Sequence, residues 1–139
     1  MTAKEYLSQA LNIDRSINSK LEQVVSLHEL ATKATVTMSD MPGSPNRNIH
    51  KMEDAIVKMV ELENEIHSDI HALVELKTEI THMIRRIGNR DQQIILEQRY
   101  LCYNSWEQIS VDMGYSIQHT FRLHDKALKE IEEFLKEES

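Results

Sequence analysis

Apolar residues recur at steps of three and four along most of this chain. From Asn48 to Gly88 the series Ile49, Met52, Ile56, Met59, Ile66, Ile70, Leu73, Ile80, Ile84 and Ile87 keeps that rhythm, interrupted only at Glu63 and Lys77. This is the heptad seam of a helix that packs lengthwise against a partner. Val60, Leu62, Leu76 and Met83 widen the stripe. About forty helical residues extend roughly 60 Å. A weaker seam runs through the front segment at Ala3, Tyr6, Ala10, Ile13, Ile17, Lys20, Val24, Leu27, Ala31 and Ala34, with Leu7, Leu11, Leu21 and Leu30 beside it.

The two seams are separated by Ser39 to Asn48, which holds Pro42-Gly43-Ser44-Pro45, a run that a helix cannot cross. Thr32, Thr35 and Thr37 weaken helix propensity just before it. The expected architecture is all-α. Residues 1–88 form a long antiparallel, coiled-coil-like hairpin, and residues 89–139 form a second module. Gly88-Asn89 ends the second arm, and Asn89 or Asp91 caps the next helix. Two lone helices do not cover stripes this wide, so a homo-oligomer is expected, most simply a dimer. The alternative is a monomer whose second module folds back on the hairpin. Glu63 and Lys77 are either register devices or side chains that reach solvent from the seam's edge.

The second module carries the most specific pattern, Trp106 to Leu128 (WEQISVDMGYSIQHTFRLHDKAL). Trp106, Ile109 and Met113 share one helical face, and Ser110 is small where two helices would touch. Gly114 stands where a turn requires positive φ. Ser116 can cap the following helix, on which Ile117, Leu123 and Ala127 face inward. This is a helix-turn-helix. Its second helix points Gln118, His119, Arg122 and Lys126 outward, the kind of polar and basic surface that fits the major groove of double-stranded DNA. Ser116, Gln118, His119, Arg122 and Lys126 are the candidate DNA-binding residues. Arg122, Gln118 and His119 are expected to read bases, and Lys126 with nearby arginines to position phosphates.

This segment resembles region four of bacterial primary sigma factors. The run Arg122-Leu123-His124-Asp125-Lys126-Ala127-Leu128-Lys129-Glu130-Ile131 follows the end of the sigma recognition helix. Ile95 to Leu101 is similar to the sigma helix that ends in an Arg-Tyr pair, and Trp106-Glu107-Gln108-Ile109-Ser110 to the run that opens the motif. The likeness covers roughly residues 91 to 133 and implies contact with RNA polymerase, although the other sigma regions are missing. Through Lys4-Glu5-Tyr6-Leu7, Leu30 to Thr35, Ser39 to Pro45 and the block from Arg99 to Leu128, the whole chain also resembles a family of uncharacterised phage and prophage proteins. That family looks related to late-gene regulators of the ArpU and RinA type, which implies transcriptional control.

Composition narrows these readings. The chain has 139 residues, 5% of them aromatic, with three glycines and two prolines, a balance that favours helices over sheet. No apolar run is long enough for a bilayer, no signal peptide is recognisable, and the single Cys102 fits a cytoplasmic protein. Cys102 is expected to pack rather than react. His67 and His71, flanked by Glu63 and Glu75, share one helix face but lack further ligands; no metal or cofactor is expected. The net charge of −7 argues against indiscriminate binding to nucleic acid. Residues 84 to 127 are milder, with Arg85, Arg86, Arg90, Arg99, Arg122 and Lys126 against Asp91, Glu97, Glu107, Asp112 and Asp125, and the excess acid lies in the front half and the tail. No glycine-rich phosphate loop, nucleophile elbow or framed carboxylate pair is present, so an enzyme is not expected. Two other functions stay open. One is a DNA-packaging recognition subunit of the small-terminase kind, although there the DNA module usually comes first. The other is a protein-interaction module that no longer binds DNA.

Overall fold

The computed structural model describes residues 1–40 and 45–138, with side chains described for 1–34 and 49–138. It is all-α: α1 (Ala3–Asp40), α2 (Pro45–Arg85), α3 (Arg90–Leu96), a π-helical turn (Glu97–Leu101), α4 (Trp106–Met113) and α5 (Ile117–Glu138), with no strand among the described residues. The two long helices reach further than the composition of residues 39–48 predicts. Pro45 opens α2 because a first-turn proline forfeits no intrahelical hydrogen bond and its fixed φ suits the helix. Pro42 and Gly43 lie outside the described residues.

The chain divides into two compact units, one of Met1–Ile13 with Leu73–Ser139, the other of Asp14–Ala72. The first contains the helix-turn-helix and is called the motif unit. It is larger than the sequence division at 88/89 suggests, because it also takes in the start of α1 and the end of α2. Its core joins Ala3, Tyr6, Leu7 and Ala10 of α1 to Ile80, Met83, Ile84 and Ile87 at and just beyond the end of α2, then to Leu96, Tyr100, Ala127 and Ile131. Phe134 and Leu135 pack against the same cluster, so α5 docks along its length. Arg86 locks this packing. Its guanidinium lies 4.2 Å from the Phe134 ring centre and pairs with Glu137 at 2.7 Å and Glu138 at 3.4 Å.

The second unit contains α1 from Asp14 onward and α2 as far as Ala72. Ile17, Ala55, Leu62 and Ile66 are buried in it. Lys20 Nζ donates to Asp69 at 2.6 Å and lies 3.8 Å from Glu65. The hydrogen bond to Asp69 holds the Lys20 ammonium above its usual pKa.

Along α1 the seam from Ala3 to Ala34 is buried or half-buried at every position, as predicted. On α2 one half of the predicted seam holds (Met52, Met59, Ile66, Leu73, Ile80, Ile87), and in the other half Ile49, Lys77 and Ile84 are also buried or half-buried, but burial moves by one residue at Ile56, Glu63 and Ile70. There Ala55, Leu62 and Asp69 turn inward while Ile56, Glu63 and Ile70 are exposed; beyond it Leu76 and Lys77 are both half-buried and Met83 and Ile84 both buried. The reason is electrostatic. The predicted register would bury Glu63, whereas the observed one substitutes Leu62 there and meets Asp69 with Lys20. Glu63 therefore reaches solvent. Lys77 is half-buried instead, donating to Leu101 O at 3.4 Å and lying 5.0 Å from the Tyr103 ring centre.

Candidate nucleic-acid interface

The site is built by the turn from α4 into α5. Ser105 caps α4 by accepting from Gln108 N–H at 3.2 Å. The helix stops at Gly114, whose φ of 72° and ψ of 28° are left-handed. A side chain there would meet nothing within 4 Å, so the demand for glycine is conformational rather than steric. Tyr115 N–H reaches back to Ser110 O at 3.1 Å and closes the turn. Ser116 Oγ then accepts from His119 N–H at 3.1 Å and caps α5, as its sequence position predicts.

The inner face of α5 differs from the expectation. Ala127 is buried, but Ile117 and Leu123 are only half-covered, and the positions that vanish from solvent are Thr120 and His124. Both are polar and both are satisfied. Ser110 Oγ donates to Thr120 Oγ1 at 3.0 Å, and the Thr120 hydroxyl donates to Ser116 O at 3.0 Å. This chain of hydroxyls sits where the small Ser110 lets the helices touch. His124 Nε2 lies 2.7 Å from the Tyr100 hydroxyl, its ring 4.6 Å from that of Trp106. Burial pushes the His124 pKa down to about 4, with Lys4 and Arg99 adding to the effect and Asp125 opposing it. Trp106 is an anchor between layers, edge-on to Phe121 at 5.2 Å and beneath the Arg99 guanidinium at 4.7 Å.

α3 and its π turn hold the motif from behind. Asn89, rather than Asp91, caps α3, accepting from Gln92 N–H at 3.0 Å. Asp91 instead accepts from the Tyr115 hydroxyl at 2.6 Å and raises the phenol's pKa. Tyr103 takes a left-handed φ of 61° in the short loop before α4, where Lys77 packs on its ring. Cys102, at the end of the π turn, is exposed and not packed as expected.

Against this frame the predicted site residues separate. Gln118, Arg122 and Lys126 are exposed on one arc of α5 and make no hydrogen bond or ion pair among the described residues. His119 is half-buried, its ring held edge-on at 4.7 Å by Tyr115. Ser116 is exposed, with its hydroxyl occupied by the cap. Of the arginines expected to assist, Arg86 is bound to the tail carboxylates, and Arg99 donates to Asn104 O at 3.1 Å; Arg85 and Arg90 stay exposed. Phe121, absent from the candidate residues, stands 40% exposed at the edge of this arc, on the Gln118 side. Its spacing of three from Gln118 and four from Ile117 was the available signal. Asp125 and Lys129 share this arc, and Glu132, Glu133 and Lys136 follow further along it. The arc therefore mixes basic and acidic groups along its length, with no uncompensated acidic end.

Among the described residues no helix is long and apolar enough to cross a membrane. None of the curated proteins and none of the solved structures matches the chain. Residues 41–132, from the inter-helix segment through the motif and most of α5, match one family model, and the chain belongs to that family, described as "Protein of unknown function (DUF1492)".

Proposed function

We propose that this protein is a sequence-specific DNA-binding regulator of phage or prophage genes, acting in the bacterial cytoplasm. One observation carries the reading. The inner face of α5 is pinned by Thr120, His124, Ala127 and Ile131, which leaves Gln118, Arg122 and Lys126 outward, uncommitted and presented from its first turns. Such a helix end fits the major groove, where Arg and Gln read guanine and adenine edges and Lys meets phosphate. Phe121 adds an apolar group of the kind that contacts a thymine methyl. The resemblance to sigma region four extends the proposal to contact with RNA polymerase, and the ArpU and RinA likeness to late-gene control. Self-association would bring two modest readers onto one DNA and raise their effective concentration.

A second reading is a motif that binds protein instead. The charge of −7 and the internal use of Arg86 and Arg99 favour it, because phosphate affinity follows the number of free cations. Selection of bound fragments from host and prophage genomes, at low and at physiological salt, separates the two. The expected result is a few discrete sites for the native chain and none for Arg122→Glu. Recovery of nothing, or of random DNA by both proteins, transfers the case to the protein-binding reading.

A further inference from the structure

The one-residue shift on α2 leaves a second apolar series unburied. Ile56, Val60 and Ile70 are 47%, 51% and 44% exposed, and Glu63 and His67 are exposed between them. At about 100° per residue these five positions fall within a narrow arc. That arc lies roughly a quarter turn from the one carrying Ala55, Leu62 and Ile66, which are buried within their unit. The steps between them are four, three, four and three, the rhythm of a complete coiled-coil seam.

This series has a property that identifies its occupant. In the sequence it runs Ile56, Val60, Glu63, His67, Ile70, Val74: two apolar residues, an acid, a histidine, two apolar residues. Apolar positions therefore match in either direction, and the central acid meets the histidine when the series is reversed. Laid antiparallel on a second copy about a two-fold axis at residue 65, Val60 faces Ile70 of the partner subunit. Glu63 likewise faces the partner's His67. Symmetry repeats both contacts, which is the isologous pairing a two-fold interface demands. A parallel pairing would set Glu63 against the partner's Glu63, an unfavourable like-charge contact. We propose that this face of α2 is a homodimer interface and that the dimer is antiparallel, with its axis at residue 65. The inference rests on the self-association in the function proposed above and is independent of DNA binding.

The test uses the full chain in a Cys102→Ser background, since that thiol is exposed. Molar mass is followed by light scattering across micromolar concentrations, with helix content checked by circular dichroism. The native sequence is expected to dimerise. Val60→Glu with Ile70→Glu should weaken dimerisation at least about tenfold without loss of helix, because both sites are exposed in the single chain. Glu63→Lys should weaken it too, and adding His67→Glu should restore it, because each exchange recreates an opposed pair. A spin label at Lys51→Cys reports direction. The labels lie roughly 40 Å apart in the antiparallel dimer and near one another in a parallel one. A mass that stays monomeric at every concentration overturns both the interface and the self-association reading. A dimer indifferent to the Val60 and Ile70 changes overturns the interface alone, and a short label distance overturns the antiparallel register.

Discussion

The two units use the same kind of helix and reach different degrees of closure. In the motif unit the ends of α1 and α2 meet α3, the π turn and α5, and the largest fully buried side chains, among them Leu7, Ile84, Leu96 and Ile131, all lie there. In the unit of Asp14–Ala72 two helices have only each other. Leu62 and Ile66 are covered, but Leu21, Val25, Ile56, Val60 and Ile70 face solvent. A helix with an apolar stripe wider than one contact face needs neighbours on two sides. The motif unit supplies them from its own chain, and in the proposed dimer a second copy supplies them to the two-helix unit.

That contrast can be broken most directly at its cores. Ile131→Ala should lower the unfolding free energy by about 2–5 kcal/mol, because several elements hold the cavity open. Ile66→Ala should cost less, about 1–2 kcal/mol, since a two-helix contact can close over the gap. Chemical denaturation measures both, and equal losses would erase the distinction between the units.

A second prediction concerns acid. His124 is neutral in the folded state down to a pH near 4, whereas the unfolded chain takes up a proton near 6.5. The stability is complete above pH 6.5 and is lost as the pH falls toward 4, by up to about 3 kcal/mol. His124→Gln removes this titration and keeps a polar partner for Tyr100. The difference in unfolding free energy between native and variant chains should therefore narrow, or change sign, between pH 7 and 4.5. Parallel curves would mean that the ring is not held neutral.

The smallest expected effect lies at the turn. Gly114→Ala places a Cβ in open space but forces it into the left-handed region, at a cost of about 1 kcal/mol. Thermal unfolding should show a modest loss with intact helix content. A fully unchanged melting temperature would show that the turn relaxes out of this geometry.

Much of the site was legible because local chemistry governs it. A left-handed turn selects glycine, a helix start selects Ser116, and a close helix crossing selects a residue as small as Ser110; each requirement acts within a few residues. Thr120 and His124 were not legible as inner-face residues, because hydrophobic patterning assigns polar groups to solvent. They are buried only because Ser110, Ser116 and Tyr100 stand ready to satisfy them, and those partners come from three different segments. Phe121 was passed over for the opposite reason: an aromatic ring reads as core, yet Trp106 already fills the space beneath it.

The order of helices, the seam on α1 and the turn at Gly114 follow from period and propensity, which are properties of neighbouring residues. The register of α2 does not. Its two apolar series lie a quarter turn apart and are both periodic, so pattern alone cannot rank them. What ranks them is the cost of burying Glu63 against the gain of Leu62 with a Lys20–Asp69 pair, and that balance exists only once α1 lies alongside α2. The same holds for α5, whose inner face is chosen by hydroxyl and ring partners brought from elsewhere in the chain. Short-range conformational preference acts before the chain folds, whereas desolvation is decided by whatever a side chain finally meets.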